Sequence, residues 1–205
     1  MNYLKFSILL LFCPLSVLGQ KVVLEQDQRL KKDIADIMKC PLNDNGIYYA
    51  HDESNILRGY ILMCGPPDTP YENGFYFFII NFPENYPVEP PKITFCNNDS
   101  VLNTRFNPNL YRNGKVCISI LNPWRGEGWT SCLTLKTVLL SILSVLNNNP
   151  LINEPHIDIT HSEVIPYNII ITNRNIDVCI YDIINKTIHN KGLPIYSIFK
   201  STLIQ

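Results

Sequence analysis

Four apolar runs joined by short connections constrain this chain more than any other feature. Residues 47–50, 58–64, 75–82 and 92–96 are rich in aromatic and β-branched side chains and are bounded by Gly, Pro and Asn. Tyr71-Glu72-Asn73-Gly74 reads as the turn between the second and third. A parallel crossover needs a dozen or more residues and usually a helix, so short links imply an antiparallel meander. Helical periodicity flanks these runs on both sides. Leu30, Ile34, Ile37 and Met38 recur at helical spacing within 24–38, with Arg29, Lys31, Lys32, Asp33 and Asp36 on the opposite face. Pro41 and Asn43-Asp44-Asn45-Gly46 end that helix. Leu135, Val138, Leu139, Ile142, Val145 and Leu146 mark a buried core helix over 133–147, with Thr130 or Ser131 as its cap and Pro150 beyond its end. The stretch 167–185 is ambiguous. Its isoleucine content favours strand, whereas Tyr167, Ile170, Ile171, Val178, Tyr181 and Ile184 fit one helical face. The layout is α+β: an N-terminal helix, a four-stranded antiparallel meander, then C-terminal helices.

Composition narrows the function classes. With 46% hydrophobic and 17% charged residues among 205, the chain can build a substantial core and is not disordered. A net charge of −1 gives no reason to expect nucleic acid or an anionic membrane as a main partner. The seven cysteines form no CxxC pair and have no matched histidine spacing, so neither a disulfide framework nor a metal site is indicated. Residues 1–20 carry Lys5, an apolar run from Phe6 to Leu18 and then Gly19, which is signal-peptide grammar. The alternative is an apolar extension on a cytosolic domain. The organisation expected is an apolar segment over 1–20, one core domain over 21–185 and a tail over 186–205.

The chemistry is concentrated in Arg105–Leu121, RFNPNLYRNGKVCISIL. Asn107-Pro108-Asn109 and Asn113-Gly114 are turn formers, and Cys117 follows Asn109 by eight residues. A cysteine between apolar residues is commonly a small buried hydrophobe. On a rigid irregular backbone beside an amide it is also suited to thiol chemistry, with the amide donating to an oxyanion. The four histidines, His51, His156, His161 and His189, all lie far from it in sequence, so no thiol-hydrolase pairing is signalled locally.

Read in order, Tyr86-Pro87-Val88-Glu89-Pro90-Pro91-Lys92, Phe106-Asn107-Pro108-Asn109, Gly114-Lys115-Val116-Cys117, Trp129 and Asn153-Glu154-Pro155 form a series. It resembles the ubiquitin-conjugating enzymes, and within them the Z-type members, over about Leu30 to Ile184. Asn107 stands where the family has a histidine. The resemblance implies a carrier that takes ubiquitin, or a ubiquitin-like protein, as a thioester on Cys117 from an activating enzyme. The modifier then passes to a substrate lysine, usually with a ligase of RING or HECT type. Asn109 would support the loop or the oxyanion, Glu154 would gate the site and help deprotonate the lysine, and Ser119 stands near the thiol where many relatives have an acid. Arg29 on the first helix, Val88, Ser131 and Cys132 fall on the family's ligase-binding surface. No cofactor is implied, because ATP is used by the upstream activating enzyme. A chain with this role is expected in cytoplasm or nucleus. If residues 1–20 are a signal or anchor, it would instead be directed to a membrane-bound compartment. The competing reading is a catalytically weak scaffold of the same fold that binds ubiquitin or ligases.

Overall fold

A computed structural model describes residues 28–97, 104–121, 128–188 and 198–199. Helix α1 runs over 28–39. Strands β1 (Ile47–His51), β2 (Arg58–Cys64), β3 (Phe75–Asn81) and β4 (Lys92–Phe95) follow. They form one antiparallel sheet in the order β1-β2-β3-β4, the expected meander. Helices α2 (Leu135–Val145) and α3 (Val164–Arg174), a π-helix over Asn175–Asp182 and α4 (Ile183–Ile188) complete the α+β layout.

Both faces of the central strands are covered, which explains their unbroken apolar sequences. Ile61 and Met63 of β2 pair with Phe78 and Tyr76 of β3 and face the main core. That core also holds Leu135, Val138, Leu139 and Ile142 of α2. Leu62 and Phe77, paired on the opposite face, meet Cys96, Ile183 of α4 and Phe199. Fully burying each large side chain contributes roughly 1.5–3 kcal/mol, so the two layers hold the sheet from both sides. Gly74 is required at the β3 entrance, since a Cβ there would lie 1.9 Å from Asn175 Oδ1. That asparagine accepts from Tyr76 Oη (2.6 Å) and donates to the Glu72 carbonyl (2.8 Å), keying the π-helix to the turn.

Four expectations are corrected. Met38 is exposed, whereas Asp33, expected on the solvent face of α1, is buried. The Tyr86–Pro91 loop, which its three prolines mark as stiff and exposed, instead sinks Tyr86 and Pro91 and exposes Val88 and Glu89. The cap of α2 is Thr134, whose hydroxyl accepts from Thr137 N (3.2 Å), because the helix starts later than its apolar pattern suggests. Residues 164–188 are helical throughout, yet Ile170 and Tyr181 point outward. The residues turned inward are Val164, Ile171, Asn175, Val178, Cys179 and Ile183: Ile171 takes the core position beside Ile170, and the i→i+5 winding of the π-helix shifts the period before Tyr181. Residues 1–20 lie outside the described part. Among the described residues no helix is long and apolar enough to cross a membrane.

Asp33 has a specific reason to be inside. It accepts from Tyr86 Oη (2.5 Å) and from Arg29 Nε (3.2 Å). Arg29 also donates to the carbonyls of Ser131 and Leu133, each at 2.7 Å. Trp129 Nε1 and Ser131 Oγ both donate to the Pro87 carbonyl (2.7 and 3.1 Å). The tyrosine ring packs on Phe82 and Trp129 with centroids 5.1 and 5.8 Å away. Its hydroxyl is pushed well above its usual pKa, first by burial and then by the bond to Asp33. One carboxylate thus joins α1, the proline-rich loop and the Trp129 loop. Asp33→Ala should lower stability by about 3 kcal/mol, since it leaves a buried hydroxyl and part of a guanidinium without partners. Urea unfolding checks this, and an unchanged midpoint would contradict it.

Candidate active site

The 104–121 loop is irregular yet largely buried, so its polar groups need internal partners. Asn107, fully buried, meets one of them, Asn109 N, and bonds three groups outside the loop. Its Nδ2 donates to Tyr71 Oη and to the Val145 carbonyl, both at 2.7 Å. Its Oδ1 accepts from Asn109 N (2.8 Å) and Asn153 Nδ2 (3.4 Å). Tyr71 Oη in turn donates to the Phe106 carbonyl (2.9 Å). Burial is the main reason that phenol stays protonated far above its ordinary range. Phe106 beneath the loop packs edge-on against Tyr76 and Phe95, both with centroids 6.1 Å away.

The return of the loop is set by Gly114, whose φ of 83° favours glycine. A Cβ there would lie 2.9 Å from the Phe95 carbonyl. Its own carbonyl accepts from Phe95 N (2.8 Å), which pins the turn to the end of β4. Val116, paired with Leu110, is buried, and so is Ile118. Cys117 between them is half-buried.

Asn109 and Cys117 bond reciprocally. Cys117 N donates to the Asn109 carbonyl (2.8 Å), and Asn109 Nδ2 donates to the Cys117 carbonyl (2.6 Å). Of the two roles open to Asn109, bracing the loop is the one these bonds display. Its second amide hydrogen is not used in that bond, and its Oδ1 is buried without a partner. Ser119 is exposed in the turn that closes on the bond from Leu121 N to the Ile118 carbonyl (3.0 Å). Glu154 ends the short 3₁₀ turn Pro150–Asn153, which the Asn153–Asn107 bond ties to the loop. Its carboxylate lies 3.5 Å from Arg105 Nη2. Arg105 also donates to the Pro108 carbonyl (2.5 Å), and its guanidinium carbon sits 4.7 Å from the Tyr111 ring centroid.

Asn109, Glu154 and Cys117 are therefore linked through one loop. A second surface gathers Val88, Ser131 and Cys132, all exposed, beside Arg29. Arg29 has its guanidinium on the carbonyls of that surface, so its visible role is to shape it. Sequence reasoning missed Tyr71, Arg105, Tyr111 and Asn153. Tyr71 and Asn153 bond Asn107 from 36 and 46 positions away, Arg105 pairs with Glu154 after α2, and no periodicity or spacing marks any of the four. Burial raises the Cys96 thiol to about 11 and pushes Cys179 higher still. Among the described residues no hydrogen bond joins a histidine to Cys117, and no cluster of three or more ligating side chains is present.

A conserved-family model described as ubiquitin-conjugating enzyme matches residues 29–164, well over half of the chain. The chain belongs to the ubiquitin-conjugating enzyme family. It is 43% identical over 129 residues to ubiquitin-conjugating enzyme E2 Z of Xenopus tropicalis, covering 62% of this chain and 40% of that one. The human E2 Z has the same identity over the same length, with 35% of it covered. The chain thus spans well under half the length of these two relatives. Ubiquitin-conjugating enzyme E2 14 of Arabidopsis thaliana is 39% identical over 127 residues, covering 58% of this chain and 72% of that one. The solved structure of human ubiquitin-conjugating enzyme E2 G1 aligns with a TM-score of 0.49 at 35% identity, over 57% of this chain and 90% of that one.

Asn107→Ala removes the donor to two buried acceptors and the acceptor for Asn109 N. It should lower stability by about 2–3 kcal/mol. Thermal or urea unfolding measures this, and a change below about 0.5 kcal/mol would show the network to be dispensable.

Proposed function

We propose that this chain accepts ubiquitin, or a ubiquitin-like protein, as a thioester on Cys117 from an activating enzyme and passes it to a substrate lysine. The observation that carries the reading is the half-buried thiol whose backbone is held on both sides by Asn109. In the first step the Cys117 thiolate attacks the activating enzyme's thioester, and that enzyme's thiolate leaves. The exchange is nearly isoenergetic, so it needs a thiolate and placement more than added driving force. In the second step a lysine amine attacks the thioester carbonyl carbon, the C–S bond breaks, and an isopeptide bond forms. Glu154 takes the ammonium proton before attack. Asn109 offers its second amide hydrogen to the oxyanion, a contribution of about 3 kcal/mol for donors of this kind. Ser119, exposed nearby, contributes no charge.

The surface formed by Val88, Ser131 and Cys132, shaped by Arg29, is where a ligase of RING or HECT type would dock. Exposed side chains over braced loops support that reading. The catalytic unit would be the core over 21–185. The pathway needs an ATP-driven activating enzyme, which favours cytoplasm or nucleus, and no cofactor of the chain's own takes part.

Two variants separate the roles. With activating enzyme, ATP and ubiquitin, Cys117→Ser should accumulate an adduct resistant to thiols, the oxyester. Asn109→Ala should charge yet discharge onto lysine at least about tenfold more slowly. Equal loss of charging in both would contradict this division.

A further inference from the structure

We propose that Arg105 is a positioning residue that occupies the Glu154 carboxylate as an internal stand-in for the acceptor lysine, which enters by displacing it. The inference rests on the carrier reading above and concerns how the same site selects its amine. Glu154 is 41% exposed and Arg105 35% exposed at the side chain, with 3.5 Å between their charged atoms. A pair this open and this long is held weakly. The guanidinium has two other anchors: the Pro108 carbonyl at 2.5 Å and the Tyr111 face at 4.7 Å. Neither depends on Glu154. Arg105 can therefore yield the carboxylate without leaving its place, and take it back once product departs.

An alkylammonium presents the same charge to the same oxygens, so lysine and Arg105 compete. They differ in one respect that matters for the reaction. Arginine stays protonated at any working pH, so it can hold the carboxylate but not react. The lysine ammonium passes a proton to Glu154, and the free amine attacks the thioester carbon. The attacking nitrogen gives up its second proton to the Cys117 sulfur as the C–S bond breaks, and the carboxyl group returns its own proton to solvent. Competition of this kind discriminates by concentration. An amine delivered by a bound partner acts at an effective concentration near millimolar or above and displaces the guanidinium readily. Free amines in solution displace it less often. The arrangement would suppress stray discharge while sparing templated transfer.

The test uses the full chain charged with activating enzyme, ATP and ubiquitin, then mixed with free lysine over a concentration series. Read on the fraction of protein that has charged, R105Q should reach half-maximal discharge at about two- to fivefold lower lysine, the range an exposed ion pair allows. R105K, which keeps the cation, should return towards wild type. The shift should vanish when E154Q is added to R105Q, whereas an effect on the loop itself would persist. Unchanged half-saturation in R105Q, a shift that survives E154Q, or loss of charging in R105Q would each overturn the assignment. Failure of the wild-type chain to form any adduct, with ubiquitin or ubiquitin-like proteins, would overturn the carrier reading itself and this inference with it.

Discussion

The arrangement of the site depends on one buried side chain. An irregular segment inside a protein carries backbone donors and acceptors that no ladder or helix satisfies. Asn107 answers part of that demand at Asn109 N and uses the rest of its amide to bond Tyr71, Val145 and Asn153. It thereby ties the turn before β3, the end of α2, the 150–153 turn and the reactive loop into one body. An imidazole at this position has two ring nitrogens, whereas an amide has two hydrogens and two lone pairs on a shorter stem. The four bonds made here use that full capacity.

The same economy appears at the opposite end of α2. Asp33 is charged and buried, and its partners are Arg29 and Tyr86. The bonds continue through Ser131, Leu133, Trp129 and Pro87. A core strand or helix therefore stands behind each of the two loops. The Cys117 loop rests on β4 through Gly114, and the Val88 loop rests on α1 through Tyr86. This separation lets the exposed residues vary, Val88 and Cys132 among them, without disturbing the core that presents them.

Local signals in the chain were sufficient for much of this. The apolar runs of β2 and β3, the four-residue rhythm of α2 and the turn chemistry around Asn107 act over a few residues, where periodicity and backbone preference decide. The Cys117–Asn109 pair was legible because eight residues of turn can bring its members together. Distant pairings were not legible. Asp33 looked like one more charge on a polar face until Tyr86, 53 residues away, supplied its partner. Three hydroxyls precede α2, and only the actual start of the helix selects Thr134 over Thr130 or Ser131. Tyr181 fits the inward face of a 3.6-residue period that the π-helix breaks, and Ile170 yields the core position to its neighbour Ile171. Arg105 carried no sign of its link to Glu154, because nothing local couples a residue before the turn to one after α2.

The most direct test of the central claim is to map the modifier on the chain. Activating enzyme, ATP and ubiquitin are incubated with the wild-type protein, and the unreduced adduct is digested and read by mass spectrometry. The account predicts one thiol-labile attachment at Cys117 and none at Cys40 or Cys132, although both of these thiols are more exposed. Attachment at either exposed cysteine, or equal distribution among the three, would mean that exposure rather than the Asn107–Asn109 framework decides reactivity, and would contradict it.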